Sequence, residues 1–530
     1  MMGPEAGGMQ AGKEAQRRVD KARAAQVDWG RTPTEVRARR LRPLRVAIAE
    51  RMDEILAVIC DEVGKPAMDA LTGDIMVTLE QLRFYERSAA HTLRSRKIGK
   101  PWVFFRGTRF KEWMEPHGVV LVCAPWNYPL QLSVVPMVTA LFAGNTVLLK
   151  CSEHTPRTAR MIEELCIAAG LPDGLVQVSC EAPEDAAALL DARPDFVFFT
   201  GSYRNGRIVA AKAAELMVPT VMELGGKDAA LVFDSCDVER TANGLVYGSF
   251  SNAGQVCVGT KRIYVQQGIH DAFLRIFLER VERLRVGTNI ESDLGQVKID
   301  MVRQWLDEQI EDAVARGAKL HSAWQKGLGE TVPVVLTAVP KEARLLQEET
   351  FGPVVCVAPF HSEADAIQMA NESEFALSAS VWTGSESQGE RVAAQLQCGC
   401  CVVNDVIRNI GNPEAAFGGN RSSGYGRYRG AQGLKTFSRV KTVMTVVRPR
   451  RAEIHWFPFR LRTFAIVHRI LRFRHGSRFA ARMRTLMGLR VILVLLAWQC
   501  CVASVSRVLP RAHGESREAI LIAMAQCRRP

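Results

Sequence analysis

The amino terminus lacks the apolar segment that a secretory signal peptide needs. Its first residues, MMGPEAGGMQAGKEAQRRVDKARAA, are mostly polar, charged or small. A signal peptide carries an apolar stretch of roughly 7–15 residues, so we do not expect export by that route. A reducing cytoplasm, in which the 14 cysteines stay free thiols, is the expected location.

An excess of charge is also missing from most of the chain. The net charge is +13, but residues 448–530 hold 17 Arg, no Lys and three Glu, whereas residues 1–447 hold 52 basic and 53 acidic groups. A neutral body argues against a basic groove of the kind that binds nucleic acid. We therefore predict no nucleic-acid partner.

The cysteines do not form a recognisable metal site. Only Cys398 and Cys401 have C-x-x-C spacing, and neither a second such pair nor a nearby pair of histidines completes a zinc ligand set. We therefore predict no metal. Free cysteine most often packs as a small apolar residue, so a catalytic cysteine has to be argued from its surroundings.

The chain does contain a regular alternation of apolar runs and helical segments. Residues 13 to about 97 have apolar residues at helical steps. Short apolar strands then alternate with helices, for example VVLVCAP, NTVLLK, GLVQVS, DFVFFT and TVMEL, and a second such region follows from Ala229. This order predicts the α/β class, with doubly wound parallel sheets and two or three domains.

Polar residues follow these strands at the end where open α/β sheets bind ligands. Lys150 and Glu153 end the segment AGNTVLLKCSE and suit ribose hydroxyls or a phosphate. Gly201, Ser202 and Gly206 lie in a turn before a helix, whose free N–H groups suit a phosphate. Viewed singly, each group also fits a solvated strand end or a plain βα turn, because strict G-x-G-x-x-G spacing is missing.

Three further residues have the chemistry of covalent catalysis. Cys257 lies in the turn SNAGQVCVGT, Glu223 ends an apolar strand before Gly-Gly, and Asn127 lies in the turn CAPWNYP. A thiol can attack a carbonyl, a desolvated carboxylate can act as a base near neutral pH, and an amide N–H can stabilise an oxyanion. Viewed alone, each also fits a packing, ion-pair or turn residue.

In order and spacing, these segments resemble the motifs of the aldehyde dehydrogenase family. The resemblance covers roughly residues 13–447 and rests on PWNYP, AGNTVLLKCSE, FTGS, MELGGK, GQVC, EETFGPV and NDVIRN…AAFGG…SSGYGR. The separations are similar too, with 23 residues from Asn127 to Lys150 and 34 from Glu223 to Cys257. The segments VVNDV and SSGYGRYRG resemble the class 3 branch, which includes fatty aldehyde dehydrogenases.

The resemblance implies a role for each residue. Cys257 would be the nucleophile, Glu223 the base that activates water, and Asn127 an oxyanion donor together with the Cys257 backbone N–H. The residues implied to bind the cofactor are Lys150, Glu153, Gly201, Ser202, Gly206, Leu224, Glu349 and Phe351. Cys151 departs from the family pattern, which usually has proline there, and this leaves the stiffness of the cofactor loop open.

The implied reaction is the oxidation of an aldehyde to the carboxylic acid through a cysteine thiohemiacetal and a thioester. The implied cofactor is NAD, because Glu153 would repel a ribose 2′-phosphate, and NADP stays open. A long-chain aliphatic or aromatic aldehyde is the expected substrate. The alternatives are an acylating or semialdehyde dehydrogenase on the same scaffold, against which Glu223 argues, and a non-catalytic membrane-bound scaffold.

The tail combines arginine and aromatic residues at helical spacing over 456–490 with an uncharged run of 16 residues, 491–506. Because a spanning helix needs about 20 apolar residues, we predict membrane association at an anionic surface, with packing on a neighbouring subunit as the alternative. The expected organisation is a homodimer with a disordered lead at 1–12, an NAD-binding domain at 13–98 and 119–223, a catalytic domain at 224–418, bridging oligomerisation strands at 99–118 and 419–447, and the tail at 448–530.

Overall fold

The structure is a computed structural model that describes residues 4–99, 105, 107–180, 183–327, 331–449, 451–453 and 455–476. The chain divides into two units. The first comprises residues 1–100 and 110–444, and the second comprises residues 101–109 and 445–530. The candidate site lies in the first unit.

The elements follow the predicted alternation. The strands are β1 (Arg96–Lys97), β2 (Thr108–Pro116), β3 (Val119–Cys123), β4 (Thr146–Lys150), β5 (Val176–Ser179), β6 (Phe196–Thr200), β7 (Thr220–Glu223), β8 (Asp228–Val232), β9 (Thr260–Gln266), β10 (Lys319–Leu320), β11 (Val334–Thr337), β12 (Val354–Phe360), β13 (Phe375–Ala376), β14 (Ser378–Trp382), β15 (Cys400–Val403), β16 (Asn420–Arg421), β17 (Gly424–Tyr425) and β18 (Ser438–Val446).

The helices cover the sheets and build the amino-terminal region. They are α1 (Pro4–Arg31), α2 (Thr34–Glu50), α3 (Met52–Val63), α4 (Ala67–Asp69), α5 (Val77–Thr92), α6 (Gln131–Ala143), α7 (Pro156–Ala168), α8 (Pro183–Asp191), α9 (Tyr203–Glu215), α10 (Val238–Phe250), α11 (His270–Glu282), α12 (Asp300–Ala315), α13 (Arg344–Gln347), α14 (Glu363–Asn371), α15 (Glu386–Ala393), α16 (Gly430–Thr436) and α17 (Leu461–His475).

Two sheets dominate the first unit. One has six strands in the order β17-β7-β6-β3-β4-β5, and the other has seven in the order β10-β11-β12-β9-β8-β14-β15. Neighbouring strands run parallel except at β17 and β10, which pair antiparallel at an edge. Every residue of β3, β4 and β8 is buried, as expected for parallel strands covered on both faces. The predicted α/β class is confirmed.

The candidate site lies at the carboxyl ends of strands of the six-stranded sheet and at the amino ends of strands of the seven-stranded sheet. Cys123, Lys150 and Thr200 lie at the carboxyl ends of β3, β4 and β6, and Glu223 ends β7 beside Thr200. In the second sheet, Asp228 begins β8 opposite Thr260 at the start of β9. Because Cys257 lies three residues before the start of β9, the nucleophile candidate comes from the amino end of one sheet and the base candidate from the carboxyl end of the other.

Two boundaries differ from the sequence expectation. Helix α1 begins at Pro4, whereas composition predicts a disordered lead through residue 12. Proline suits the first helical turn, and the alanine, glutamine and lysine that follow favour helix. In the segment 419–447, predicted to hold bridging strands, the long strand begins only at Ser438, because residues 430–436 form α16.

The strands predicted at 99–118 and 419–447 contribute to a three-stranded sheet in the order β1-β2-β18. Strand β1 pairs antiparallel with β2, with Arg96 opposite Glu112. Residues 100–104 and 106, in the first half of the bridging segment predicted over 99–118, lie outside the described residues.

The second unit contains α17, which has no buried residue. The apolar run at 491–506 lies outside the described residues. Within the part of the chain that the structure describes, no helix combines the length and apolar character needed to cross a bilayer.

Candidate active site

Cys257 and Glu223 line one cavity of about 560 Å³. Cys257 follows a 3₁₀ turn at Ser251–Gly254 and is half-buried, whereas Glu223 is 3% exposed. The thiol is therefore not sealed inside apolar packing, because the cavity joins it to the end of β7.

The carboxyl group of Glu223 has no partner among the described residues. Both carboxyl oxygens are buried and make no hydrogen bond there. Burial raises the pKa of Glu223 well above its usual value, and the positive charge of Arg427 opposes this only in part. A buried carboxyl group without a partner, facing a cavity, is suited to exchange a proton with a bound molecule or water.

The Cys257 thiol also has a raised pKa. Burial is the largest cause, and the nearby carboxyl groups of Asp228, Glu223 and Glu349 add to it, while the N–H of Val258 opposes it. The resting group is therefore a neutral thiol, which must lose its proton before it can attack.

The turn before Cys257 has an unusual backbone. Asn252 and Ala253 have φ of 49° and 53°, and Gly254 has φ of 69°. A Cβ on Gly254 would lie 2.1 Å from the carbonyl oxygen of Gly352, so only glycine fits. Lys261 Nζ ties the two segments together by donating to the carbonyls of Gly254 at 2.8 Å and Gly352 at 2.7 Å.

Asn127 lies beside the cavity and not among its lining residues. Its side chain is buried, and Nδ2 donates to the carbonyl of Gln255 at 3.0 Å, two residues before Cys257. An amide nitrogen carries two hydrogens, so one remains for an oxyanion formed near this turn.

Most of the candidate cofactor residues lie at the carboxyl edge of the six-stranded sheet. Lys150 Nζ donates to Glu153 Oε2 at 2.9 Å at the end of β4. Ser202 caps α9 by accepting from the Asn205 N–H. A Cβ on Gly206 would lie 2.4 Å from Leu224 Cδ2, so the first turn of α9 packs closely on the strand end. These features fit a pyrophosphate at a helix amino terminus.

Glu349 lies against the segment that follows Glu223, and Phe351 contacts the loop that carries Asn127. A Cβ on Gly225 would be 2.2 Å from the Glu349 carboxyl atoms. Burial raises the pKa of Glu349 to about 7, opposed by a hydrogen bond from the Gly226 N–H. The Phe351 ring meets Trp126 edge to face, with centroids 5.6 Å apart. Neither Glu349 nor Phe351 lines the cavity, so they suit a neighbouring cofactor subsite.

Sequence reasoning missed a set of polar residues near Asn127. Lys65 and Asp74 are buried and contact its loop, and the half-buried Asp69 accepts from the Asn252 N–H in the turn before Cys257. All three stand in an amphipathic helical region without a motif, so only their contacts in the fold distinguish them. Lys227 was also passed over, although it stands inside the motif MELGGK and its Nζ donates to Thr350 Oγ1.

A sequence model of the aldehyde dehydrogenase family matches residues 8–443. The chain belongs to the aldehyde dehydrogenase family. It is 40% identical over 449 residues to a 4,4'-diapolycopene aldehyde oxidase of Methylomonas sp, and the match covers 84% of each chain. It is 34% identical over 432 residues, 80% of this chain and 83% of the other, to a Mycolicibacterium smegmatis protein provisionally named as a succinate-semialdehyde dehydrogenase [NADP(+)].

Solved aldehyde dehydrogenases share its fold. The enzyme of Mycobacterium tuberculosis complexed with NAD+ has a TM-score of 0.76 at 30% identity, covering 82% of this chain and 90% of that one. The NAD-dependent enzyme of Sinorhizobium meliloti has a TM-score of 0.79 at 30% identity, covering 84% and 89%. The predictions of an aldehyde dehydrogenase fold and of an oxidoreductase acting on aldehydes are confirmed, whereas the class 3 branch stays a prediction.

Proposed function

We propose that this aldehyde dehydrogenase oxidises a long apolar aldehyde, aliphatic or aromatic, to the carboxylic acid, with Cys257 as nucleophile and Glu223 as base. The observation that carries the proposal is the single cavity that both residues line. Most of the remaining wall is apolar or aromatic and includes Met76, Val77, Leu132, Tyr247, Val256, Leu377, Val406, Ile407, Ile410, Phe417 and Tyr428.

The charged part of the wall argues against a short semialdehyde as substrate. The cation among the described lining residues is Arg408, which is paired with Asp405 at 3.3 Å and has a side chain 83% exposed. A substrate carboxylate would need an available cation near the thiol, and this arginine is neither buried nor unpaired. The Methylomonas relative is named a 4,4'-diapolycopene aldehyde oxidase and not a semialdehyde dehydrogenase.

The residues divide the reaction between them. Cys257 Sγ loses its proton to solvent and adds to the carbonyl carbon, and the Asn127 amide and the Cys257 N–H stabilise the resulting oxyanion. NAD or NADP held by Lys150, Glu153, Gly201 and Ser202 would supply the hydride acceptor for the aldehyde carbon, and the thioester would remain on Cys257. Glu223 then takes a proton from a water molecule that attacks the thioester and releases the acid.

The cofactor would be held by the residues at the carboxyl edge of the six-stranded sheet and beside it, namely Lys150, Glu153, Gly201, Ser202, Gly206, Leu224, Glu349 and Phe351. The Glu153 carboxylate beside Lys150 favours a ribose hydroxyl over a 2′-phosphate, so NAD should turn over faster than NADP at equal concentration. Faster turnover with NADP would contradict this assignment of Glu153.

Two substitutions test the chemistry. Cys257→Ala should lower cofactor reduction to background. Glu223→Gln should slow turnover by about 10²–10⁴-fold and leave an acyl-enzyme visible by mass spectrometry. Cys400→Ala is the matched control, because Cys400 is also half-buried but does not line the cavity.

Each outcome separates the alternatives. Full turnover in Cys257→Ala would refute the nucleophile, whereas a wild-type protein that oxidises no aldehyde would favour a non-catalytic scaffold. A dependence on coenzyme A would favour an acylating enzyme. A panel of aldehydes should show kcat/KM rising with apolar chain length, and preference for succinic semialdehyde would contradict the substrate proposal.

We also propose that the tail binds an anionic membrane surface. In the second unit Trp456, Phe457, Phe459, Leu461 and Phe464 are exposed, and they are interleaved with arginines at 460, 462, 469 and 472. Exposed aromatic residues alternating with cations suit the interface of an anionic bilayer. A cytoplasmic location, with this attachment, agrees with the free thiols of the described cysteines.

A homodimer through the three-stranded sheet is proposed on similar grounds. Trp113 on β2 and Val440 and Met444 on β18 are exposed apolar residues on elements that the sequence analysis associates with oligomerisation. Light scattering should give the mass of two chains, and a monomer would contradict the proposal.

A further inference from the structure

A buried ion pair lies behind Asn127 and has no part in the proposed chemistry. The side chains of Lys65 and Asp74 are both 0% exposed, and Lys65 Nζ donates to Asp74 Oδ2 at 2.9 Å. Removing two charges from water is costly, and well-packed apolar residues often serve stability equally well. A reason other than stability should therefore be sought in what the pair contacts.

The pair holds both ends of the Asn127 loop. Lys65 Nζ donates to the Asn127 carbonyl at 2.7 Å and lies 3.9 Å from the centre of the Tyr128 ring. Asp74 Oδ1 accepts from the N–H groups of Leu130 at 3.1 Å and Gln131 at 3.2 Å. The cation therefore fixes the start of the loop and the anion fixes its end.

The same loop is bonded to the turn that carries the nucleophile. Asn252 Nδ2 donates to the Asn127 carbonyl at 3.1 Å. The same carbonyl also accepts from Lys65 Nζ. Asn127 Nδ2 donates in turn to the Gln255 carbonyl at 3.0 Å. The Asn252 N–H donates to Asp69 at 2.7 Å, so the acidic helical segment contacts the nucleophile turn directly.

A local change of helix geometry places these acids. Residues Ala70–Met76 between Asp69 and α5 form a π-helical turn, a feature that widens the helix and is frequent at functional sites. Gly73 lies within it, and a Cβ there would be 2.5 Å from Tyr128 Cε1. The widened turn and this glycine together let the helix approach the Asn127 loop.

We propose that Lys65 and Asp74 are positioning residues that set the Asn127 amide against the Cys257 turn. The inference rests on the proposed function, because it takes Asn127 as the oxyanion donor. An oxyanion donor works only in a narrow geometry, and a displacement of about 1 Å can cost on the order of 10²-fold in rate. Loss of the pair should therefore slow chemistry and leave cofactor affinity unchanged, since the pair makes no contact with Lys150 or Glu153.

The test removes both charges together, because one left alone would be an unpaired buried ion. Lys65→Met/Asp74→Leu should lower the melting temperature, because the N–H groups of Leu130 and Gln131 lose their acceptor, but it should keep the wild-type dissociation constant for NAD. The pre-steady-state rate of cofactor reduction should fall by about 10- to 100-fold. Arg45→Met/Glu86→Leu is the matched control, because it removes a 2.7 Å ion pair with no contact to the Asn127 loop, and it should keep the wild-type rate.

A double-mutant cycle shows whether the pair acts through Asn127. Asn127→Ala should slow the wild-type enzyme strongly but slow the Lys65→Met/Asp74→Leu enzyme by a much smaller factor. Two losses that simply multiply would overturn the proposal, and so would a loss confined to KM.

A second, less disruptive double substitution tests the proposal if Lys65→Met/Asp74→Leu does not fold. Lys65→Gln/Asp74→Asn is neutral and polar, and its glutamine is one bond shorter than lysine, so it should show a smaller loss of the same step. Full rate in either folded variant refutes the positioning role while Cys257-dependent oxidation stands. A wild-type enzyme that oxidises no aldehyde refutes the proposed function and this inference together.

Discussion

The carboxyl groups around Cys257 share one electrostatic property: the protonated, neutral form is favoured. Burial raises the pKa of Glu223 and Asp228 well above their usual values and that of Glu349 to about 7. Neutral carboxyl groups can approach a neutral thiol closely without repulsion. A base therefore becomes available only as pH rises, so turnover should increase with pH through the raised pKa of Glu223.

Glu349 gives a pH test of stability. Its usual pKa of 4.5 becomes about 7 in the fold, so between these pH values the unfolded chain releases a proton that the folded chain keeps. Stability from this group is therefore lost as pH rises from 4.5 to 7. Glu349→Gln should raise the melting temperature relative to wild type more at pH 8 than at pH 5, by roughly 1–3 °C.

Asp312 is the control for that comparison. The Arg344 N–H and the Arg316 side chain lower the pKa of Asp312 below its usual value of 3.8. The stability that this carboxylate contributes is therefore fully present above that pH and does not change between pH 5 and pH 8. Asp312→Asn should therefore shift the melting temperature equally at both. Equal shifts for Glu349→Gln as well would contradict the raised pKa.

At the scale of elements, the turn from Ser251 to Gly254 determines where Cys257, the proposed nucleophile, lies. Three successive residues in it have positive φ, and the turn packs against the backbone of Gly352 and the Lys261 ammonium group. The sequence indicates a glycine turn there, but its left-handed backbone depends on contacts with a segment almost 100 residues later.

Gly254→Ala tests this turn against a matched glycine. Gly170 also has positive φ, 66°, but open space around it, whereas a Cβ at Gly254 would clash with backbone. Gly170→Ala should cost about 1–2 kcal/mol of stability through φ alone and keep activity. Gly254→Ala should lose at least about tenfold in turnover. Similar activities of the two variants, measured by cofactor reduction, would show that the close packing at Gly254 is unimportant.

At the scale of the whole molecule, the division into two units separates chemistry from the proposed membrane attachment. All the candidate catalytic and cofactor residues lie in the first unit. The exposed aromatic and arginine residues at 456–472 lie in the second unit. The two functions should therefore be separable by truncation.

Removal of residues 448–530 should preserve oxidation of a water-soluble aldehyde within about twofold. It should also abolish cosedimentation with vesicles that contain anionic lipid, since the tail holds the positive excess of the chain. Replacing the arginines at 460, 462 and 469 with glutamine in the full-length chain is the control for charge. Equal cosedimentation of the full-length and truncated chains would contradict membrane attachment.

The sequence by itself determined the elements and the identity of the reactive groups. Continuous apolar runs in the sequence are typical of parallel strands that are buried on both faces. Cys257, Glu223 and Lys150 stand in short motifs next to such runs. The strand order places such residues at sheet edges, so their presence in one site follows from topology. Short strands such as β10 and β16 were not predicted, because two residues carry no periodicity.

Only the tertiary structure decided the environment of those groups. Desolvation depends on which side chains meet in space. The sequence therefore could not predict how far burial raises the pKa of Cys257 and Glu223, or which neighbouring groups contribute to the shift. The Lys65–Asp74 pair reaches a carbonyl 62 residues away from Lys65, and no local pattern encodes that contact. Chain composition specifies which chemistry is possible, whereas packing specifies which atoms are held close enough to perform it.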